Sequence, residues 1–500
     1  MQKIILLLLI CCSTFRLSAQ QKPNVIYIYA DDLGYGDLSC YGATKIHTPN
    51  VDRLATEGIR FTDAHCTSAT CTPSRYALLT GRYPWRQEGT GILPGDAALI
   101  IPTDKITLPK VFQKAGYKTG IVGKWHLGLG TTTEKNWNGE IKPGPNETGF
   151  DYSFIFPATA DRVPTVFVEN HFVIGLDKSD TIKVNYKTKV GDEPTGKEHP
   201  ELLKLQSSPG QGHDNTIVNG IGRIGYMSGG KMARWSDEEM SLTFLQKAKQ
   251  FINENKQNHF FLYYALTEPH VPRMPATIFK GKSGLGLRGD AILQLDWTVG
   301  EILNEVKQLG IDNNTIIIFS SDNGSVLDDG YQDEAVTKLN GHTPAGVLRG
   351  GKYSSFEGGT RVPFIVRWPK QITPQVSGAL ICQIDLLASF SAFLKQTTDT
   401  SFSIDGENRL NNLLGKSKTG RTSLVEHSTG LSITNGQWKY ISPNDGEAFY
   451  KLTATESGNS SEPQLYDLKN DPGEKNNLAT KYPEKVKEMA ALLESVRMKH

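Results

Sequence analysis

The chain has 500 residues, 38% hydrophobic and 21% charged, and its formal net charge at pH 7 is +1. This length allows one large domain, or two unequal ones, with a sizeable buried core. A net charge so close to zero excludes a broad electrostatic attraction to nucleic acid or to an anionic membrane. An anionic ligand would therefore have to be met by local basic side chains.

The N-terminus has the features of a secretory signal peptide. Lys3 supplies a positive charge, residues 4–12 form an apolar run too short to span a bilayer, and Leu17-Ser18-Ala19 is typical of a cleavage site. We predict a signal over residues 1–20 and export to the periplasm or the extracellular space. Cys11 and Cys12 leave a lipid anchor as the alternative. No other segment predicts a transmembrane helix.

Four apolar runs predict strands buried on both faces, and polar residues follow each run closely. The runs are Asn24–Tyr29, Thr119–Val122, Phe260–Leu266 and Thr315–Phe319. Amphipathic stretches at 48–57, 236–255 and 291–309 predict helices between them. This alternation predicts an α/β fold with a mostly parallel central sheet flanked by helices. Ligands bind beyond the carboxyl ends of such strands, so we expect the polar residues to converge there.

The rest of the chain predicts the domain organisation. Residues 131–230 are rich in Gly, Pro and Asn and show no clear helix or strand pattern, which is typical of loops that shape a substrate site. Short strand-like runs after residue 416 and an amphipathic stretch at 482–497 predict a small C-terminal α+β subdomain. We therefore predict a catalytic domain over 21–415 and a subdomain over 416–500.

The stretch Cys71-Thr72-Pro73-Ser74-Arg75 leads into a short apolar helix. Proline suits the first turn of a helix, which puts Cys71 at the helix N-terminus, where the backbone favours an anion. Arg75 adds a positive charge one turn later. A nucleophile beside an anion site suits a reaction on a negatively charged ester. For so short a pattern, a buried structural cysteine is the simpler alternative.

Cysteine usage does not predict a disulfide framework. Only four cysteines follow the predicted signal, which is few for an exported chain of this length. Cys40 and Cys66 could form one pair. If Cys71 is chemically converted, at least one of the others stays a free thiol.

Two acidic pairs, Asp31-Asp32 and Asp322-Asn323, each follow a predicted strand. Alone, each pair could be a turn or a helix cap. Together they offer three carboxylates and an amide oxygen at one sheet edge. An all-oxygen set favours Ca²⁺ or Mg²⁺ over zinc, so the sequence predicts one hard divalent cation.

Three further segments carry basic or imidazole side chains, and the first two of them follow predicted strands. They are Gly123-Lys124-Trp125-His126-Leu127-Gly128, Pro269-His270-Val271-Pro272, and Arg349–Pro363, which contains Lys352. Each segment also has a simpler explanation when it is considered alone. The first could be a solvated loop, the second a turn that contains a histidine, and the third a flexible glycine-rich loop.

Taken together, these motifs resemble the signatures of the type I sulfatases, which have an alkaline-phosphatase-like fold. The matching strings are C-T-P-S-R…L-L-T-G-R from residue 71, G-K-W-H-L-G from residue 123, and G-K…E-G-G-x-R-x-P from residue 351. The resemblance runs from Asn24 to Pro363 and covers most of the predicted mature chain. It implies a sulfuric ester hydrolase.

The resemblance also implies a cofactor set. Cys71 would be oxidised to formylglycine by a sulfatase-maturating enzyme, and Arg75 would orient the hydrated aldehyde. The hydrate would attack sulfur, and its second hydroxyl would later allow sulfate to be expelled without attack by water. The ligands of one Ca²⁺ would be Asp31, Asp32, Cys71 in its modified form, Asp322 and Asn323.

Four more catalytic roles follow from the resemblance. Lys124 and Lys352 would contact the sulfate group, and His126 would partner the formylglycine hydroxyl. His270, aided by Lys352, would give a proton to the leaving alcohol.

The substrate is predicted only as a class. A sulfated glycan suits an exported sulfatase, and we favour a sulfated galactose or N-acetylgalactosamine in a glycosaminoglycan, mucin or algal glycan. Candidate sugar-binding residues, each of which could instead be structural, are Arg162, His171, His213 and Arg234. A phosphate or phosphonate ester hydrolase of the same superfamily stays open, as does a glycan-binding protein with unmodified Cys71. The Asp322-Asn323 pair favours one hard cation over a two-zinc site.

Overall fold

A computed structural model describes residues 22–499 of the chain. The predicted signal peptide and the alternative lipid anchor lie outside the described residues. Within residues 22–499, no helix combines the length and the apolar character needed to cross a membrane.

Strands and helices alternate along most of the described chain. The strands are β1 Asn24–Ala30, β2 Ile59–Phe61, β3 Ala64–His65, β4 Lys118–Lys124, β5 Tyr152–Phe156, β6 Val168–Glu169, β7 Phe172–Val173, β8 Lys183–Asn185, β9 Ile217–Val218, β10 Ile221–Gly222, β11 Tyr226–Ser228, β12 Phe260–Ala265, β13 Thr315–Ser321, β14 Phe364–Arg367, β15 Gln375–Ser377, β16 Ile381–Cys382, β17 Leu424–His427, β18 Leu431–Thr434, β19 Trp438–Ile441, β20 Phe449–Tyr450, β21 Thr455–Glu456 and β22 Gln464–Asp467. The helices are α1 Pro49–Thr56, α2 Cys71–Thr80, α3 Leu108–Lys114, α4 Met240–Asn255, α5 Gly286–Gln308, α6 Glu357–Thr360, α7 Asp385–Leu394, α8 Leu410–Leu413 and α9 Pro483–Arg497.

A ten-stranded sheet forms the centre of the molecule, in the order β15-β2-β14-β13-β1-β12-β4-β5-β6-β7. Its five middle strands, from β13 to β5, all run parallel. The four strands predicted from apolar runs are β1, β4, β12 and β13. The α/β prediction with a mostly parallel sheet is therefore confirmed.

Both faces of the sheet are covered, which explains why its strands are continuously apolar. On β1, Val25, Tyr27 and Tyr29 pack into one core with helices α2, α3 and α7. The alternate residues Ile26 and Ile28 pack into a second core with α1, α4 and α5. Successive side chains of a strand point to opposite faces, so every position of β1 is buried.

The region 131–230, where the sequence showed no pattern, contains β5 and six shorter strands, β6 to β11. β5 pairs in parallel with β4 and belongs to the middle of the sheet. Its apolar run is only five residues long and is surrounded by glycines, prolines and polar residues, so the pattern alone did not reveal it. Long-range pairing with β4, rather than local propensity, makes this segment a strand.

A four-stranded antiparallel sheet, β17-β18-β19-β22, lies near the C-terminus and packs with α9. Ala77 of α2 and Tyr83 belong to the same hydrophobic core, so the C-terminal sheet packs close to the helix that begins at Cys71. These elements lie within the predicted α+β subdomain, whose boundary at residue 416 stays a prediction. The four cysteines of the described chain are all free thiols, so the pairing of Cys40 with Cys66 was wrong.

Candidate active site

The carboxyl ends of four neighbouring parallel strands bring the predicted polar residues together. Asp31 and Asp32 follow β1, Lys124 ends β4, His270 lies five residues beyond β12, and Asp322 follows β13. All of these side chains are buried. The expected convergence at one sheet edge is therefore observed.

Cys71 is the first residue of α2 and lies in this cluster. Its Sγ is 3.3 Å from Nδ1 of His126, and Nε2 of His126 is 2.9 Å from the carbonyl oxygen of Leu93. Because a carbonyl only accepts, Nε2 carries the hydrogen and Nδ1 of the neutral ring is an acceptor facing Cys71. Burial, together with Lys124 and Arg162, lowers the pKa of His126 well below its usual value. His126 is thus neutral and directs an unprotonated nitrogen at residue 71.

The unmodified thiol itself is poorly suited to attack. Burial raises the pKa of Cys71, although Lys124 and Lys352 oppose this shift. The reactive form of cysteine is the thiolate, which a raised pKa disfavours.

Three non-glycine residues of the site have left-handed backbone conformations. The φ angles are +62° at Asp32, +55° at His126 and +72° at Tyr353. Such conformations cost on the order of 1 kcal/mol each and persist only where surrounding contacts impose them. Thr72 Oγ1 donates to the carbonyl of His126 at 3.1 Å, and the N–H of Tyr353 donates to the carbonyl of Ala69 at 2.8 Å. The loops around Cys71 therefore help to set the orientation of these side chains.

Each buried carboxylate of the predicted metal set has a cationic partner. Lys124 Nζ is 2.6 Å from Asp31, Lys352 Nζ is 2.9 Å from Asp32, and Arg75 Nη2 is 2.7 Å from Asp322. Burial raises the pKa of Asp31 in spite of Lys124. Burial opposes the charge of Lys352, but Asp32 and Asp329 outweigh it and raise the pKa of that lysine. Arg75 contacts Asp322, so the geometry gives it a role in holding that carboxylate.

The oxygen donors fit a hard divalent cation. Oδ1 of Asn323 is buried without a hydrogen-bond partner, while its Nδ2 donates to Asp32 at 2.7 Å. Ligand atoms of Asp31, Asp32 and His270 lie within 4.8 Å of one another. An unpaired buried oxygen beside clustered carboxylates is the arrangement that a cation with oxygen ligands would satisfy.

His270 faces the same carboxylates from beyond the carboxyl end of the neighbouring strand β12. Its Nε2 is 3.7 Å from Asp32, and its Nδ1 is 2.7 Å from the carbonyl oxygen of Val271. Nδ1 therefore donates, and Nε2 is the atom presented to the site. Burial, with Lys352 and Lys124, lowers the pKa of His270 well below its usual value.

A cavity of about 290 Å³ opens above Cys71. Two of the four predicted sugar-binding residues, Arg162 and His213, line it. His171 pairs instead with Glu147 at 3.0 Å, Arg234 pairs with Glu193 at 2.5 Å, and neither lines this cavity. The cavity therefore includes two of the four candidate sugar ligands, Arg162 and His213, and sugar binding by any of the four stays a prediction.

Two carboxylates of the cavity were missed by sequence reasoning. Asp161 accepts from His213 Nε2 at 2.9 Å and from Arg162 at 3.0 Å. Asp329 accepts from Lys352 Nζ at 2.7 Å and from the Tyr353 hydroxyl at 3.1 Å. Asp161 lies five residues after β5, the strand that the sequence did not reveal. Asp329 lies in an irregular segment with no motif of its own.

A buried charge network lies behind the loop that carries Lys352. Lys439 Nζ is 2.8 Å from both Glu357 and Glu426, and Glu426 is 2.8 Å from His65. The N–H of Glu357 donates to Glu474 at 2.7 Å. The network therefore ties the glycine-rich loop to the C-terminal sheet. Burial, with Glu357 and Glu426, raises the pKa of Glu474 to about 8 although Lys439 opposes it.

Replacing Glu474 with glutamine is expected to flatten the fall of stability with rising pH. The folded protein holds the Glu474 proton up to about pH 8, whereas an unfolded chain releases it near pH 4.5, so ionisation opposes folding between these values. Glu474→Gln keeps the acceptor for Glu357 and cannot ionise. We expect an apparent Tm above that of the wild type at pH 8, from a gain on the order of 1 kcal/mol, and a smaller difference at pH 5.5.

The control for this comparison is Glu456→Gln, which removes a half-exposed carboxylate paired with Arg349. It should leave the pH slope unchanged. Burial lowers the pKa of His65, but Glu357 and Asp63 outweigh this effect and raise it to about 9. The stability that protonated His65 contributes is therefore lost as the pH rises from 6.5 to about 9, in every variant alike. Equal pH slopes for Glu474→Gln and the wild type would contradict the assignment.

Comparisons with known proteins agree with this geometry. Residues 23–395 match the family model described as Sulfatase. The chain is 57% identical to an N-acetylgalactosamine-6-O-sulfatase of Bacteroides thetaiotaomicron, over 95% of this chain and 93% of that protein. It is 31% identical to human arylsulfatase A, over 92% of this chain and 84% of that protein.

A solved structure gives the same picture. One solved structure, from work on the metabolism of multiple glycosaminoglycans by Bacteroides thetaiotaomicron, is of a protein designated 6S-sulf. It superposes on this chain with a TM-score of 0.94 and is 57% identical to it, over 96% of this chain and all of that one. A phosphonate monoester hydrolase of Agrobacterium radiobacter, at 16% identity and a TM-score of 0.57, shares the fold alone. The matches therefore do not favour the alternatives of a phosphate or phosphonate ester hydrolase and of a non-catalytic glycan-binding protein.

Proposed function

Because the chain belongs to the sulfatase family and is a sulfuric ester hydrolase, we propose that it removes the 6-O-sulfate of N-acetylgalactosamine or galactose residues in glycosaminoglycans. The observation that carries this proposal is the cavity above Cys71, which joins the predicted sulfate-binding residues to a polar sugar-sized space. The 57% identical relative named for N-acetylgalactosamine 6-O-sulfate supports the choice of sugar and position.

Residue 71 is proposed to act as formylglycine, made by a maturating enzyme. When hydrated, this group supplies one hydroxyl for attack on sulfur and a second whose deprotonation expels the sulfate. Nδ1 of His126, 3.3 Å from Sγ of Cys71, is placed to take that second proton. The raised pKa of the Cys71 thiol supports a modified residue as the nucleophile.

Lys124 and Lys352 are proposed to neutralise the sulfate oxygens. Both ammonium groups are buried, where charge stabilisation is stronger than in water. Nε2 of His270 and Nζ of Lys352 face the leaving oxygen in this proposal. Lys352 carries a proton that it can give to this oxygen, whereas His270 can give one only after Nε2 is protonated, which the charge of the bound anionic substrate favours. Arg75 holds Asp322 in place through two hydrogen bonds.

One divalent cation, Ca²⁺ by family resemblance, completes the proposal. Its ligands would be the oxygens of Asp31, Asp32, Asp322 and Asn323, together with modified residue 71. The ion would act as a Lewis acid on the sulfate, an effect worth several kcal/mol. The unpaired Oδ1 of Asn323 supports this ligand set.

Recognition of the sugar is assigned to the polar side chains of the cavity wall. Arg162 can donate to sugar hydroxyls, while Asp161 and Asp329 can accept from them. His213 is held by Asp161, so its ring orientation is set before the substrate binds.

We also propose that the protein is exported through the predicted N-terminal signal, and that the C-terminal subdomain begins at the predicted boundary, residue 416.

Purified, maturated enzyme should release sulfate from N-acetylgalactosamine 6-sulfate about 100-fold faster than from the 4-sulfate, because misplacing the ester costs roughly this factor. Sulfate release is measured directly, with an aryl sulfate as a control for general sulfatase activity and an aryl phosphate for the alternative chemistry. A preference for the 4-sulfate would contradict the assigned position. Cleavage of the aryl sulfate alone would contradict the assigned sugar.

A further inference from the structure

A second, larger cavity of about 620 Å³ adjoins the catalytic one. The two share Tyr353, Leu452 and Thr453 as lining residues. Thr70, which directly precedes Cys71, also lines the second cavity. We call this second cavity the hairpin groove, because the hairpin β20–β21 and its connecting residues 451–454 form much of its wall. A ligand held at Cys71 would therefore pass these shared residues if it extended into the groove.

The walls of the hairpin groove are held in place by hydrogen bonds. The hydroxyl of Tyr450 lies 2.5 Å from Oγ1 of Thr429 and accepts from Nδ2 of Asn459 at 3.1 Å. The carbonyl of Tyr353 accepts from Oγ of Ser428 at 2.5 Å. Both aromatic residues are thus positioned before a ligand arrives, which lowers the entropic cost of binding.

The chemistry of the groove suits a sugar ring. Aromatic and aliphatic faces from Tyr353, Tyr450 and Leu452 stand beside the hydroxyl of Thr453, and Leu452 is 52% exposed. An aromatic ring offers an apolar face to the C–H face of a sugar, while hydroxyl groups meet its edge. Glu447 and Lys451 also line the groove and their charges cancel. The groove therefore favours ring stacking over a net charge.

We propose that the hairpin groove is a subsite for the sugar next to the sulfated residue in the same glycan chain. The inference rests on the proposed function, since it requires that a sulfated sugar occupy the cavity above Cys71. Tyr353 connects the two cavities: it follows Lys352, the assigned sulfate ligand, and lines both spaces. The C-terminal hairpin thereby makes the enzyme selective for oligosaccharides over single sugars.

The test compares kcat/KM for sulfate release from a 6-sulfated monosaccharide and from a 6-sulfated oligosaccharide of the same sugar. The wild type is expected to prefer the oligosaccharide about tenfold, which corresponds to about 1.4 kcal/mol. Tyr450→Ala should bring this ratio close to one, because it removes the stacking face. Tyr450→Phe keeps the ring and should keep most of the preference.

The matched control is Phe449→Ala, which removes the neighbouring ring of the same strand. Phe449 is 47% exposed and does not line the groove, so the ratio should stay at the wild-type value. A wild-type ratio near one, or a Tyr450→Ala enzyme that keeps the wild-type ratio, would overturn the subsite while leaving the proposed function intact. If the wild type releases sulfate from neither 6-sulfated substrate, the proposed function fails first, and the subsite with it.

Discussion

Replacing Cys71 with alanine is expected to lower kcat/KM by a factor on the order of 10⁴ or more, because no other side chain can form the sulfur-bound intermediate. Sγ of Cys71 lies 3.3 Å from His126 in the cavity that also contains His270 and Lys352. Sulfate release by the purified variant measures the effect. Mass spectrometry of the wild-type peptide that contains residue 71 should find an aldehyde in place of the thiol.

The fold should survive this substitution, since a buried single substitution of this kind costs about 1 kcal/mol. Cys66→Ala is the matched control: Cys66 is equally buried and five residues away, but Sγ of Cys66 contacts backbone oxygens of Ser68 and Thr360 and does not line the cavity. This control should keep nearly full turnover. Retained turnover in Cys71→Ala would exclude residue 71 as the nucleophile.

Removing divalent metal with a chelator is expected to lower kcat/KM about 1,000-fold, and added Ca²⁺ should restore it. The reason lies in the charges around the cavity, where carboxylates outnumber the Lys and Arg side chains by one. The carboxylates are those of Asp31, Asp32, Asp161, Asp322 and Asp329, and the cationic groups those of Arg75, Lys124, Arg162 and Lys352. A divalent cation would change this excess of one negative charge into an excess of one positive charge, and would thereby favour the binding of an anionic sulfate ester.

A stability measurement separates metal binding from catalysis. Ca²⁺ that binds only the folded state should raise the apparent Tm of the wild type by mass action, with about 2.7 kcal/mol gained at 100 times the Kd. Asp32→Asn should reduce this rise strongly. Asp329→Asn is the control, because Asp329 also contacts Lys352 but is outside the proposed ligand set. An equal loss in both variants, or full activity with chelator, would contradict the assigned site.

Much of the candidate site follows from local sequence patterns. The apolar runs of β1, β4, β12 and β13 are long enough to mark buried strands, and Asp31, Lys124, His270 and Asp322 lie at or just beyond their ends. In a parallel sheet such positions meet at one edge whatever the connecting loops do. The start of α2 at Cys71 depends equally on local residues, since Pro73 suits only its first turn.

The residues of the cavity wall could not be predicted in the same way. Four candidates in the irregular region were equivalent by residue type, yet Arg162 and His213 line the cavity while His171 and Arg234 do not. Asp161 lies beyond β5, which exists as a strand because it pairs with β4. In a long loop, the position of a side chain depends on contacts with residues far away in the sequence. Such contacts leave no periodic pattern of apolar residues from which they could be predicted.

The sequence by itself determined the α/β class, the residues at the strand ends and the position of Cys71 at the start of α2, because strand burial and helix starts are properties of a few adjacent residues. Only the tertiary structure decided which loop residues reach the cavity, how Lys439 and Glu357 join the C-terminal sheet to the glycine-rich loop, and where the hairpin groove lies. These features are contacts between segments far apart in the chain. Packing and charge pairing select such contacts as the chain folds, and no short stretch of sequence encodes them.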